Sequence, residues 1–175
     1  EYFLAQSDCE VITVSRRKPE LKTQRDFQHL SVDLRDATEA EAAFSSLTSV
    51  THVVYAALYA QPGLIPGWTD PEQMQTNLDM LQNTVKPLVA NATSLQHLTL
   101  LQGTKAYGIH LHPMPIPAKE RASRDQHDNF YWLQEDYIKA TAASAGFRYS
   151  ILRPQLIVGA PAGVAMNLAP IIGAY

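Results

Sequence analysis

Cysteine is nearly absent: Cys9 is the only one in 175 residues. An internal disulfide is therefore excluded, and a reducing compartment, the cytoplasm, is expected. No apolar run approaches the roughly 20 residues that a spanning helix needs, so no membrane partner is expected. A basic stripe is also lacking. The 14 Lys and Arg are outnumbered by 17 Asp and Glu, for a net charge of −3, which argues against nucleic acid. The six histidines show no metal-ligand spacing. His110 and His112 alternate in a proline-rich stretch without cysteine or carboxylate partners, so no metal is expected. No signal peptide is visible. No G-x-G-x-x-G turn occurs, which removes the strongest sequence mark of a pyrophosphate cradle. A starting methionine is missing too. The chain opens on Glu1-Tyr2-Phe3-Leu4-Ala5, which reads as the end of a helix, and closes inside the apolar Ile171-Ile172-Gly173-Ala174-Tyr175. Both ends read as cut, so a segment of a longer protein is expected.

What remains has the composition of a globular domain: 46% hydrophobic and 18% charged residues leave enough apolar mass for one core. Val11 to Val14 is a β-branched run that predicts a buried strand. His29 to Leu34 is a weaker strand. Ala37 to Leu47 has helical spacing, with Ala42, Ala43 and Phe44 on the apolar side. Thr51 to Ala57 is a third strand, and Gly63 to Gly67 a loop. Asp70, Pro71 and Gln73 then spell a helix start. Met74, Leu78, Leu81 and Val85 share its apolar face, and Pro87 should kink or interrupt it. Leu95 to Leu101 is a fourth strand, Ile109 to Pro117 a loop, and Asn129 to Ala145 a helix closed by Gly146. Tyr149 to Leu152 is a fifth strand, which Pro154 bends or ends. Strands and helices in this alternation predict a doubly wound, parallel α/β sheet of Rossmann type with right-handed crossovers. The first strand and its glycine-rich turn would lie upstream.

Several strand ends carry candidate chemistry. Ser15-Arg16-Arg17 follows the first visible strand, which would be the second in a Rossmann order. An acidic residue there holds ribose hydroxyls, whereas arginine pairs with a 2′-phosphate through its planar fork of donors. Arg16 and Arg17 therefore favour NADPH over NADH; the competing reading is a solvated basic turn. Asp33-Leu34 ends the next strand, where an acidic-hydrophobic pair could meet adenine, although acidic strand ends are common. Ala56-Ala57 ends the third strand, and small residues there would admit a ribose or simply pack. Asn77 is either a site residue or a polar position on an exposed helix face.

The catalytic reading rests on Tyr131 and Lys105. Free tyrosine has a pKa of about 10, and a nearby ammonium favours its phenolate. A positioned phenol can donate to an oxygen that gains charge as hydride arrives, and losing such a donor costs roughly 3–4 kcal/mol of barrier. In the usual short-chain dehydrogenase arrangement, a lysine stands four residues after the tyrosine. Here that position is Glu135, so either the site is dead or the ammonium comes from elsewhere, with Lys105 the candidate. By themselves, Tyr131 reads as a packing aromatic and Lys105 as a solvated loop lysine.

The string Asn129-Phe130-Tyr131-Trp132-x-x-Glu135-Asp136, followed by Arg153-Pro154 and Gly159, shifts that balance. So does Gln102-Gly103-Thr104-Lys105-Ala106-Tyr107-Gly108. Together they resemble the extended short-chain dehydrogenases of the NAD-dependent epimerase/dehydratase superfamily, in the progesterone 5β-reductase/iridoid synthase-like branch of enone reductases. That branch has Thr-Gly-x-Lys-His-Tyr-x-Gly-Pro, so Gln102 and Ala106 depart from it and Gly-Pro is displaced. The connection from lysine to tyrosine is also shorter, and a remodelled substrate loop is expected.

The resemblance implies an NADPH-dependent reductase of an enone, or alternatively of a carbonyl, or a nucleotide-sugar epimerase. A non-catalytic dinucleotide sensor is the other class. It implies Tyr131 and Lys105 as catalytic residues and sets Gln102, Gly103, Pro154, Leu156 and Ile157 against the cofactor. It implies residues 1–159 as a partial dinucleotide-binding domain and 160–175 as the start of a substrate-binding region. The absent strand would be central in the order 3-2-1-4-5-6, so the 175 residues alone are expected to fold poorly. The sequence fixes no oligomeric state; a homodimer is compatible with the resemblance.

Overall fold

The computed structural model describes residues 1–23, 25–61, 68–122 and 124–157. The predicted loop at 63–67, Gly159 and the boundary at 159/160 lie outside the described residues. Five short strands and four helices alternate: α1 (Tyr2–Ala5), β1 (Ile12–Val14), β2 (Gln28–Leu30), α2 (Ala37–Phe44), β3 (His52–Tyr55), α3 (Pro71–Asn91), β4 (His97–Leu101), α4 (Phe130–Ala145) and β5 (Arg148–Leu152). Every pairing is parallel, in one sheet of order β1-β2 and another of order β3-β4-β5. The fold is thus the parallel-sheet, Rossmann-like α/β arrangement expected.

No backbone ladder joins β1 to β3 among the described residues. The two sheets are instead joined through helix packing. Val32, Ala40, Phe44 and Leu88 form a buried cluster that also touches Val14 and Leu30 on one side and Val53 on the other. The main core lies between β3-β4-β5 and helices α3 and α4: Leu81, Val85, Leu98, Leu100 and Ile138 are fully buried there. Each such side chain contributes roughly 1.5–3 kcal/mol of transfer free energy. The other sheet face is open, with Val54 59% and Leu152 52% exposed.

The helix starts follow local chemistry. Asp36 accepts from the amides of Thr38 and Glu39, Asp70 from Gln73, and Asn129 from Tyr131. These satisfy amides that have no partner inside their own helix. Gly146 ends α4 at φ 81°, the left-handed geometry that favours glycine.

Five expectations need correction. β1 is half-buried rather than buried among the described residues, where it pairs with β2 alone. β2 stops at Leu30, since Ser31 turns its hydroxyl to the Arg16 carbonyl and Asp33 leaves the ladder for Arg35. β3 stops at Tyr55, so Ala56 and Ala57 lie beyond the strand. In α2, Ala40 and Phe44 carry the burial while Ala42 is exposed. Pro87 does not interrupt α3, which runs on to Asn91. Leu88 is locked in the core and Asn91 Nδ2 donates to the Pro87 carbonyl at 2.8 Å, so the last turn is held by contacts that the lost amide does not remove.

The buried face of α3 also differs from the predicted stripe. Met74 and Leu78 are half-buried, while Gln73, Asn77 and Thr84 are buried beside Leu81 and Val85. These polar side chains have definite work. The Asn77 amide accepts from Tyr59 N at 2.9 Å and donates to Tyr59 O at 2.8 Å, so one side chain satisfies both backbone groups of that residue. Gln73 Oε1 accepts from Gln61 N at 2.6 Å. The segment after β3 is thereby tied to α3, and Asn77, read as a candidate exposed position, is fully buried.

Candidate functional site

The first turn of α4 is braced from outside the helix. Asp125 Oδ2 lies 2.8 Å from His127 Nδ1, and His127 Nε2 lies 3.1 Å from Asn129 Nδ2. With the imidazole proton on Nδ1, His127 donates to Asp125 and accepts from Asn129, which leaves the Asn129 oxygen for Tyr131 N at 3.0 Å. Trp132 Nε1 donates to the His127 carbonyl at 2.7 Å. Asp125 Oδ1 also meets His112 Nε2 at 3.0 Å. Gly108 packs beneath this cluster at φ 70°, and a Cβ there would lie 2.6 Å from both Asp125 Oδ2 and His112 Nε2. Among the described residues no group of three His, Cys, Asp or Glu is arranged to hold a metal.

Phe130, Tyr131 and Trp132 are all buried and cluster with Ala106, Trp68, Met74 and Tyr107. The Tyr131 hydroxyl faces the end of β4: a Cβ on Gly103 would stand 3.4 Å from it and 3.9 Å from the Pro154 carbonyl. Gly103, which the sequence reading set against the cofactor, thus lies between the Tyr131 hydroxyl and the Pro154 carbonyl. Burial pushes the Tyr131 pKa up to about 12, while Arg153 draws it down. Near neutrality Tyr131 is a phenol and can act as a hydrogen-bond donor.

Lys105 lies on the 3₁₀ turn Thr104–Tyr107 that follows β4. Its Nζ sits 3.6 Å from the centre of the Trp68 ring, and that ring meets Tyr131 edge-on at 5.5 Å. Trp68 thus touches both proposed catalytic side chains. Its role is invisible in sequence, where nothing distinguishes it from a surface tryptophan. Desolvation pushes the Lys105 pKa down, and the face of the indole partly replaces the lost water around the cation.

Glu135, at the position where lysine would be usual, is 3% exposed. Arg153 Nη2 donates to its Oε1, and Lys139 Nζ lies 3.1 Å from its Oε2. Arg153 Nε donates to Gln102 Oε1 at 2.9 Å, and Gln102 Nε2 donates to the Tyr131 carbonyl at 3.2 Å. Both ends of the Gln102 amide are therefore committed within the protein.

The second part of the candidate site lies on the other sheet. Ser15, Arg16 and Arg17 are exposed beyond β1, where Ser15 Oγ donates to the Arg17 carbonyl at 2.6 Å. Neither arginine forms a salt bridge among the described residues. Asp33 is held by Arg35, at 2.5 Å from Nη2 to Oδ2, and this lowers its pKa to about 2. Arg35 was missed in sequence; its guanidinium also lies over the Tyr59 ring at 5.5 Å. Leu34 is pinned by Asn83, whose Nδ2 donates to its carbonyl at 2.9 Å. Ala56 is exposed and Ala57 packs on the core, while Leu156 and Ile157 are exposed after β5.

These features fit a dinucleotide. Guanidiniums that form no salt bridge among the described residues stand beyond β1, alanines lie beyond β3, and a glycine beyond β4 leaves room beside the tyrosine hydroxyl. Carboxyl ends of parallel strands are where such ligands bind.

The sequence and the fold are both similar to those of known proteins. (S)-8-Oxocitronellyl enol synthase of Camptotheca acuminata is 29% identical over 175 residues, covering 94% of this chain and 42% of the enzyme. 3-Oxo-Delta(4,5)-steroid 5-beta-reductase of Arabidopsis thaliana is 29% identical over 179 residues, with coverage of 94% and 43%. The chain thus spans less than half the length of these relatives. Among solved structures, UDP-glucose 4-epimerase from Bifidobacterium longum, in complex with NAD+ and UDP, superposes with a TM-score of 0.70 at 19% identity, over 93% of this chain and 53% of that one. The Brucella ovis UDP-glucose 4-epimerase in complex with NAD gives a TM-score of 0.66 at 18% identity, over 87% and 46%. The profile of the NAD dependent epimerase/dehydratase family matches residues 1–172, nearly the whole chain, and the chain belongs to that family.

Proposed function

We propose that the full-length protein is an NADPH-dependent oxidoreductase that reduces the C=C bond of an enone. The observation that carries this reading is the placement of the Tyr131 hydroxyl beside Gly103, with the Lys105 ammonium over the Trp68 ring that Tyr131 also meets. Bound nicotinamide would supply the hydride, which adds to the β-carbon. The π electrons move onto the substrate oxygen, where the phenol of Tyr131 donates a hydrogen bond and Lys105 adds positive charge. A proton from solvent completes the α-carbon. Because burial keeps Tyr131 protonated, it suits a reaction in which an oxygen gains charge. The names of the two relatives, an enol synthase and a reductase of a 3-oxo-Delta(4,5) steroid, point to conjugated carbonyl chemistry as well. Arg16 and Arg17 would pair with the 2′-phosphate of the cofactor.

The test is NADPH oxidation by the full-length protein with a small cyclic enone. Tyr131→Phe should lower kcat by roughly 10²–10³-fold, and Lys105→Met should also lower it. Robust reduction of simple carbonyls with none of enones would assign the same side chains to a ketone reductase. NADPH turnover unaltered by Tyr131→Phe would end the catalytic reading of that residue.

A further inference from the structure

The carboxylate in the usual lysine position is not idle. We propose that Glu135 recruits Arg153 to be the fixed positive charge beside Tyr131, so that Arg153 is an electrostatic and positioning partner of the phenol. This rests on the reading of Tyr131 as the catalytic hydroxyl.

The argument begins with burial. A carboxylate 3% exposed must be paired, because an isolated buried charge costs several kcal/mol. Lys139 is a weak answer, since nearly half of its side chain is in water. Arg153 is the strong one: only 12% of its side chain is exposed, and it lies against the Tyr107 ring while donating to Glu135 and Gln102. Its connection to Tyr131 runs by two routes. Through Gln102 it reaches the Tyr131 carbonyl, which fixes the first turn of α4. Through the chain it sets Pro154, whose carbonyl lies on the same side of Gly103 as the Tyr131 hydroxyl. Lys105 differs, because its ammonium is held over Trp68. The charge that acts on Tyr131 against burial is that of Arg153. The elements packed about Tyr131 also carry Lys105, on the turn after β4 and over the Trp68 ring, and the Glu135–Lys139 pair on the same helix. The ordinary arrangement places a cation on the helix itself; here the helix carries the anion and the cation arrives from the end of β5.

A bland ion-pair clamp between α4 and β5 would stabilise the protein without touching the chemistry, and charge relocation separates the two roles. Arg153→Gln alone would strand Glu135, so the informative variants are Glu135→Gln/Arg153→Gln, which removes both charges, and Glu135→Lys/Arg153→Gln, which puts a cation on the helix. In the full-length protein, a fluorinated tyrosine at position 131 brings phenol ionisation into a range where the protein is folded. Its titration needs no turnover. The neutral pair should raise that phenol's pKa by about half a unit or more, and in the unlabelled protein lower kcat for a cyclic enone by about 10-fold with little change in KM. The relocated cation should recover both readouts. The proposal is overturned if the neutral pair leaves the titration unmoved, or if it restores as much as the relocated cation does. Should the titration respond while no enone is reduced by the wild type, the electrostatic role stands and the reaction class falls.

Discussion

Among the described residues β4 is paired on both sides and carries Leu98 and Leu100 at full burial, whereas β1 pairs with β2 alone and none of its three residues is fully buried. Yet β1, Ile12-Thr13-Val14, has the better strand composition. Neighbour strands and helix layers, more than intrinsic preference, set how deeply a strand is buried. The difference extends to the candidate site. On the β4 side, Tyr131, Gln102 and Glu135 are buried and Arg153 half-buried, and hydrogen bonds interlock them. On the β1 side, Arg16 and Arg17 are exposed and unpaired among the described residues, a state suited to meeting a charged ligand.

Four measurements on the full-length protein sharpen or break this contrast. The largest effect is expected in the core: Leu98→Ala or Ile138→Ala should cost about 2–5 kcal/mol in urea unfolding, because each leaves a cavity. Val14→Ala should cost less, because it removes two carbons rather than three, and from a position half-buried among the described residues; an equal loss would show that β1 is packed as deeply as β4 in the whole protein. Next, Asn77→Ala should cost about 1–3 kcal/mol by leaving the Tyr59 backbone unsatisfied, with faster hydrogen exchange at the Tyr59 amide. Unchanged exchange there would show that the tether is dispensable. Third, Arg16→Ala/Arg17→Ala should lower the preference for NADPH over NADH by about 10-fold, one charge-assisted contact or more, while kcat with saturating cofactor changes little. An intact preference would move phosphate recognition elsewhere. The smallest effect is at Asp33. Its folded-state pKa of about 2 lies below the ordinary 3.8, so its stabilisation is present above pH 3.8 and is lost as pH falls toward 2. Wild type and Asp33→Asn should converge in stability across that window; parallel curves would mean that the Arg35 pair contributes nothing.

What was legible in the sequence was local. The Asp70-Pro71-Gln73 start of α3, the Asn129 cap and the Gly146 stop each act over a few residues, and each is present. Strand ends were over-extended at Asp33 and Ala57, because termination there depends on Arg35 and on the contacts of Asn77 from α3. Gly103 was assigned to the cofactor by its motif, and that it lies beside the Tyr131 hydroxyl is seen only in the fold. Trp68 was not found, since its value comes from a ring packed between two side chains distant in sequence. Glu135 read as a vacancy in the lysine position. Its partner lies 18 residues on, and the next member of the chain, Gln102, lies 51 residues back from Arg153, so no spacing rule joins them.

Gly108 has a consequence for how this protein tolerates change. Any side chain there meets Asp125 and His112 at 2.6 Å and must also adopt a left-handed backbone. The cluster it would push aside is the one that orients Asn129, and through it the beginning of the tyrosine helix. A survey of random variants scored only by survival would therefore rank position 108 beside Tyr131. The intolerance would stem from the left-handed backbone and the side chains crowded against it, at a residue that has no functional group of its own.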